Sequence, residues 1–115
     1  MSLVDHVGIP YAGPGFCAVL AARVLAEAGI PWPRVRRPED ADQWQRIAGP
    51  ARRYDVVVMR ATDGYHVGVC LGDGRFLHAE EGSRSGCDDL ASPLFAPRVV
   101  GIYRYIGERR APCNT

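Results

Sequence analysis

Lysine is absent from the chain, and all fourteen of its basic side chains are arginines. The surface therefore carries forked guanidiniums that stay charged, and no titratable ammonium groups. Asparagine occurs once, at Asn114. We read this bias as the coding habit of a GC-rich genome. A charge excess is missing too. A net charge of +1 over 115 residues leaves no basic surplus to neutralise phosphates, which argues against nucleic acid as a partner. No stretch approaches the roughly twenty apolar residues of a membrane span. The segment Met1 to Pro10 includes Asp5 and His6 and lacks the apolar run of a secretory leader. The expectation is a protein made in the cytoplasm, with any export by another route.

Paired cysteines are also lacking. Cys17, Cys70, Cys87 and Cys113 never fall in a C-x-x-C spacing, so neither a zinc site nor a thioredoxin-type redox motif is supported. No metal and no cofactor are expected. A disulfide framework has three possible connectivities, but a chain rich in aliphatics has no need of bridges.

What remains is ordinary globular composition, 47% hydrophobic and 23% charged, with the length of one domain over 1–115. Pro10-Tyr11-Ala12-Gly13-Pro14-Gly15 is a turn, because two prolines and two glycines in six residues forbid a helix. From Phe16 to Ala28, apolar residues recur at helical spacing on Cys17, Leu20, Ala21, Val24, Leu25 and Ala28. Gly29, Pro31 and Pro33 end that helix. Pro38 to Ala48 reads as a second, shorter helix, with Glu39 and Asp40 in its first turn. Strands are expected at Asp55 to Arg60, Tyr65 to Leu71, Arg75 to Ala79 and Val99 to Tyr105, with a short one near Ser85 to Leu90. Helices followed by a meander of strands indicate an α+β fold, with helices packed on an antiparallel sheet.

Cys17 stands where a helix begins, straight after a glycine-rich turn. Free backbone N–H groups and the positive end of the helix dipole favour a thiolate there, and the thiolate is the nucleophile. The competing reading is a packed, inert thiol. A cysteine nucleophile needs a base, and the base needs an orienting partner. His66 and His78 lie on the two arms of a hairpin turning at Gly72-Asp73-Gly74. His6 reads as a surface residue. If Gly72 to Gly74 form the loop, paired residue numbers sum to 146. His78 then faces Gly68, and His66 is its diagonal neighbour on one sheet face. A two-residue turn at Asp73-Gly74 makes the sum 147 and sends the rings to opposite faces. The stripe Val67, Val69, Leu71, Leu77, Ala79 favours the first register.

Tyr54 to Ala79, YDVVVMRATDGYHVGVCLGDGRFLHA, resembles the central block of NlpC/P60 cysteine peptidases. Asp55, His66, Val67, Gly68, Gly72, Gly74 and His78 occupy that block's marked places. The twelve-residue step between the histidines, and the gap from Cys17 to His66, are similar to the family's. Asp89 to Pro93 and Arg98 to Arg104 resemble the ending of phage-tail members. Around the nucleophile, Gly15-Phe16-Cys17-Ala18-Val19 stands where members carry Asp-Cys-Ser/Trp-Gly, so Phe16 replaces an aspartate and Val19 a glycine.

The resemblance implies a papain-like fold with the nucleophile helix packed on an antiparallel sheet. It also implies catalysis by Cys17, His66 and His78, with Tyr11 near the oxyanion site. The implied substrate is a peptidoglycan stem peptide, typically its γ-D-glutamyl–diaminopimelate amide. The implied setting is a phage tail tip or the cell wall, with phage tail proteins as partners. A structural tail-tip or hub protein on the same scaffold, with little or no hydrolysis, is the alternative. A wider papain-like amidase or acyltransferase is a third. Cys70 shares the parity of His66 and either lies beside the site or is a packed thiol, the favoured reading. Glu80 and Glu81 either line the cleft or face solvent, the favoured reading. Arg52, Arg53, Arg109 and Arg110 read as solvated charge.

Overall fold

The computed structural model describes residues 3–10, 13, 15–32, 42–62, 64–80 and 84–107. Tyr11, Glu81, Arg109, Arg110, Cys113 and the start of the expected second helix lie outside these. One helix, α1 (Phe16–Ala26), precedes six strands: β1 (Trp44–Ile47), β2 (Val56–Ala61), β3 (Gly64–Cys70), β4 (Arg75–His78), β5 (Gly86–Asp89) and β6 (Val99–Tyr105). The strands form one sheet in the order β1-β6-β2-β3-β4-β5, with every neighbouring pair antiparallel. The expected α+β layering is present: α1 lies on the sheet, and no described helix is long and apolar enough to cross a membrane.

The helix forms for the reasons its sequence suggests. Gly15 caps it in the left-handed conformation, φ 80, which a glycine adopts without steric cost. Phe16, Leu20, Ala21, Val24 and Leu25 are its buried residues, one stripe at helical spacing. Beyond Ala26 the chain turns through Gly29, also left-handed at φ 72. The Ile30 N–H returns to Leu25 O at 3.0 Å, so the end of the helix is satisfied by backbone. The buried stripe packs against Val56, Val58, Val67, Val69, Leu77, Ala79 and Tyr103. A second cluster, Val57, Met59, Cys70, Phe76 and Phe95, covers the other face of the central strands. Both faces of β2 are thus buried, which explains its unbroken Val-Val-Val-Met run.

Two expectations are corrected. Trp44 to Ile47, assigned to the second helix, is a strand paired with β6 from Trp44↔Tyr105 to Ile47↔Ile102. Trp44 and Ile47 are spaced to suit one helix face, and four residues cannot separate that pattern from a strand. The sheet decides. Without β1, the unpaired N–H and C=O groups along β6 would form an open edge. Trp44 is buried and meets Tyr105 edge-on at 5.6 Å. His6, read as a surface residue, is buried at 2% exposure. It lies in a 3₁₀ turn, Leu3–His6, and its Nε2 is 2.8 Å from Glu27 Oε1 just past α1. Ser85 Oγ donates to the His6 carbonyl oxygen, which fastens this turn to the approach to β5.

Candidate active site

The hairpin between β3 and β4 decides which side chains share a face. Val69 pairs with Leu77 and Cys70 with Phe76, so the numbers sum to 146 and Gly72 to Gly74 form the loop. His66 and His78 therefore point to the same side. His66 Nε2 is 2.7 Å from His78 Nδ1, and the rings cross edge-to-face with centroids 5.0 Å apart. Both are buried, at 7% and 5% exposure. The His78 ring is held between Phe76 and Phe95, at centroid distances of 4.4 and 5.2 Å.

The hydrogen-bonded chain continues. His78 Nε2 is 2.7 Å from Asp88 Oδ2 on β5. Phe76 pairs with Asp88 and His78 with Gly86, so Asp88 is the diagonal neighbour of His78, just as His66 is on the other side. Glu80 also belongs to the cluster. One ligand atom from each of His66, His78 and Glu80 lies within 4.8 Å of the others, and Arg98 Nη1 donates to Glu80 Oε1 at 3.0 Å. Glu80 thus borders the imidazoles instead of facing solvent alone. Burial lowers the His66 pKa to about 4, with the neighbouring His78 adding to the effect; Glu80 opposes it and Arg98 reinforces it. His66 is consequently neutral near pH 7 and holds a free lone pair, as a proton acceptor must.

His66, His78 and Glu80 are the one described set able to hold a metal ion. Two ring nitrogens 2.7 Å apart are bonded through a proton. Nitrogens about 2.0–2.1 Å from a tetrahedral zinc would stand farther apart. The Glu80 carboxylate is already engaged by Arg98. The donor set suits a proton relay better than a cation.

Cys17 is half-buried in the first turn of α1 as a free thiol. The structure brings the imidazoles together but draws no hydrogen bond from Cys17 to either ring. Cys17 packs at the margin of the helix-side cluster, whereas the rings share their face with Met59, Cys70 and Phe76. Phe16, in the place of the family's aspartate, is buried in the core, and Val19 is 53% exposed. Cys70 is fully buried. Burial pushes its thiol up to about 12, with a smaller contribution from Asp55. The family's marked aspartate, Asp55, is buried as well. It accepts from the Arg52 N–H at 2.7 Å and from Arg104 Nε and Nη2 at 3.0 and 2.8 Å. Its role is to pin the start of β2 to β6. An open cavity of about 620 Å³ lies elsewhere, lined by Ile47, Arg52, Arg53, Leu71 and Arg104 among others, and shares no residue with the imidazole cluster.

Asp88 and Arg98 were missed by sequence reasoning, and Glu80 was weighed as a cleft residue but read as solvent-facing. Asp88 had a usable signal, since pairing the short strand near Ser85 to Leu90 with β4 places it beside His78 by the same parity rule. Arg98 had none, because its approach to Glu80 depends on the route of the chain between β5 and β6.

A model of the NlpC/P60 family matches residues 4–104. A solved structure described as similar to a lipoprotein of the NLP/P60 family, from Staphylococcus aureus subsp. aureus Mu50, superposes with a TM-score of 0.68 at 29% identity. The match covers 91% of this chain and 39% of that one, so the chain spans well under half the length of that relative. A search of the curated proteins finds no match. Neither match bears on a phage tail.

Proposed function

Because the chain belongs to the NlpC/P60 family, we propose that it is a cysteine peptidase that hydrolyses an amide of peptidoglycan stem peptides, with Cys17 as nucleophile, His66 as base and His78 as its orienting partner. The observation that carries this reading is the buried 2.7 Å contact between His66 and His78, in a chain whose first helix begins with a free thiol.

A neutral His66 favours general-base catalysis over a resting thiolate–imidazolium pair. In the proposed reaction His66 takes the Cys17 proton as the sulfur attacks the amide carbonyl. The neighbouring N–H groups of Phe16 and Ala18 are already bonded to Gly13 O and Gly15 O, so on this reading the Cys17 N–H is the helix-start donor that receives the oxyanion. The protonated His66 then gives its proton to the leaving amine. Water hydrolyses the thioester, with His66 again as base, and regenerates the thiol. Contacts between nucleophile and base often tighten only when substrate is bound, and this reading requires Cys17 Sγ to come within reach of His66 at that stage. The γ-D-glutamyl–diaminopimelate amide is the substrate bond that the family suggests. A cell-wall or phage-tail setting rests on the family and on the Asp89 to Arg104 ending alone.

Two observations favour a second reading, a scaffold with little or no hydrolysis. No hydrogen bond joins Cys17 to an imidazole, and Phe16 fills core space where the family has a polar residue. Incubation with purified peptidoglycan separates the two. On the peptidase reading, wild type releases muropeptide fragments, whereas Cys17→Ala and His66→Ala do not. Equal release by all three, or none by wild type, leaves only the scaffold.

A further inference from the structure

Hydrogen-bond roles propagate along a chain of imidazoles. A carboxylate only accepts, so a ring nitrogen bonded to it must carry a proton. A neutral imidazole has one N–H and one lone pair, so fixing one nitrogen fixes the other. Asp88 Oδ2, 2.7 Å from His78 Nε2, requires Nε2–H on His78. With that ring neutral, His78 Nδ1 is a lone pair and accepts from His66 Nε2 across the 2.7 Å contact. His66 then carries Nε2–H, and its lone pair lies on Nδ1.

We propose that Asp88 is a positioning residue whose carboxylate sets the tautomer of both histidines in turn and so keeps the Nδ1 of His66 free to accept a proton. This rests on the peptidase reading for its catalytic meaning, but the proton arrangement itself does not.

The groups facing the two rings support it. Phe76 and Phe95 flank His78 and offer no competing acceptor in the ring plane. Glu80, the other nearby carboxylate, is held by Arg98 at 3.0 Å. Asp88 therefore contributes the acceptor bonded to His78 at the outer end of the chain. Its side chain is 48% exposed on β5, so its replacement perturbs the relay more than the core. Without the carboxylate, a donor at this position would reverse every bond. His78 would accept at Nε2 and donate from Nδ1 to His66 Nε2, leaving the His66 proton on Nδ1, where it blocks proton transfer.

The test reads ring protonation directly. In protein with ¹⁵N-labelled histidine, long-range ¹H–¹⁵N correlations at pH 7 report which nitrogen of each ring is protonated. Wild type is expected to show Nε2–H on both His66 and His78. Asp88→Asn can present either end of its amide, whereas Asp88→Lys can only donate, and Asp88→Lys is expected to move the His66 proton to Nδ1. Its kcat on peptidoglycan peptides should fall by about 10²-fold, less than the ~10⁴ seen when an aspartate bonded directly to the catalytic base loses its charge, while KM stays within about twofold. A wild-type His66 protonated on Nδ1, a doubly protonated His78, or unchanged tautomers in both folded variants overturns the proposal. If wild type and Cys17→Ala hydrolyse alike, the peptidase reading fails while the spectra still decide the relay.

Discussion

A side chain at Gly68 would crowd the backbone end of His78, since a Cβ built there stands 3.2 Å from the Cβ of His78. The same atom would meet Phe76 Cδ2 at 2.8 Å and the Leu77 carbonyl oxygen at 3.0 Å. The glycine of the His-Val-Gly triplet is thus a spacing requirement of β3 against β4. We expect Gly68→Ala to destabilise the fold by about 1–3 kcal/mol, the usual cost of overpacking, and to weaken the His66–His78 contact as β4 shifts. Urea denaturation measures the first effect. Loss of activity at a substrate concentration that saturates wild type measures the second. A variant with an unchanged urea midpoint would show that β4 yields without strain.

Cys17 and His66 act as one unit in the proposed chemistry, so their losses should not add. Each single alanine variant is expected to lower peptide hydrolysis by about 10³-fold or more, and the double variant to fall no further than the worse single one. Muropeptide release followed by chromatography gives the rates. Additive losses would mean that the two residues support turnover independently, against a shared proton transfer.

Much of this geometry was legible in the amino-acid order. The Gly72 to Gly74 loop and the Val67, Val69, Leu77 stripe set the hairpin register, and the register alone brings His66 beside His78. A tight turn narrows the register to two choices, and the apolar stripe then selects between them. Where no turn anchors a segment, local pattern fails. Trp44 to Ile47 fits a helix face as well as a strand, and only the long-range partner Tyr105 separates the two. His6 looked solvated because its burial depends on Glu27, 21 residues away. Asp88 required the pairing of a third strand, and Glu80 required Arg98.

The low pKa of His66 links the site to stability. Its folded value is about 4, against an ordinary 6.5, chiefly because the ring is buried. Between those values the unfolded chain binds a proton that the folded chain does not, so stability rises with pH across the window. The contribution is complete above pH 6.5 and is lost as the pH falls toward 4, to a total of at most about 3 kcal/mol. Wild type should therefore lose more stability between pH 7 and 4.5 than His66→Gln, which has no imidazole to protonate. Parallel urea midpoints for the two proteins across this range would show that the ring titrates normally in the fold.

The cysteines differ in environment enough to be told apart chemically. Cys70 is fully buried, with its thiol pushed up to about 12, so almost none of it is thiolate at pH 7, and the thiolate is the reacting form. Cys87 is exposed on β5, and Cys17 is half-buried at the start of α1. Arginine-specific cleavage separates them conveniently, because Cys17 precedes Arg23, Cys70 lies between Arg60 and Arg75, and Cys87 between Arg84 and Arg98. Brief alkylation of the native protein at pH 7 should label the Cys17 and Cys87 peptides and leave the Cys70 peptide unmodified until denaturant is added. The rates at Cys17 and Cys87 carry the functional information. A thiol activated at the helix start should react faster than the more exposed Cys87, which reports ordinary accessibility. Slower labelling at Cys17 would show that neither the helix terminus nor His66 activates it in the resting protein, and activation would then have to come with the substrate.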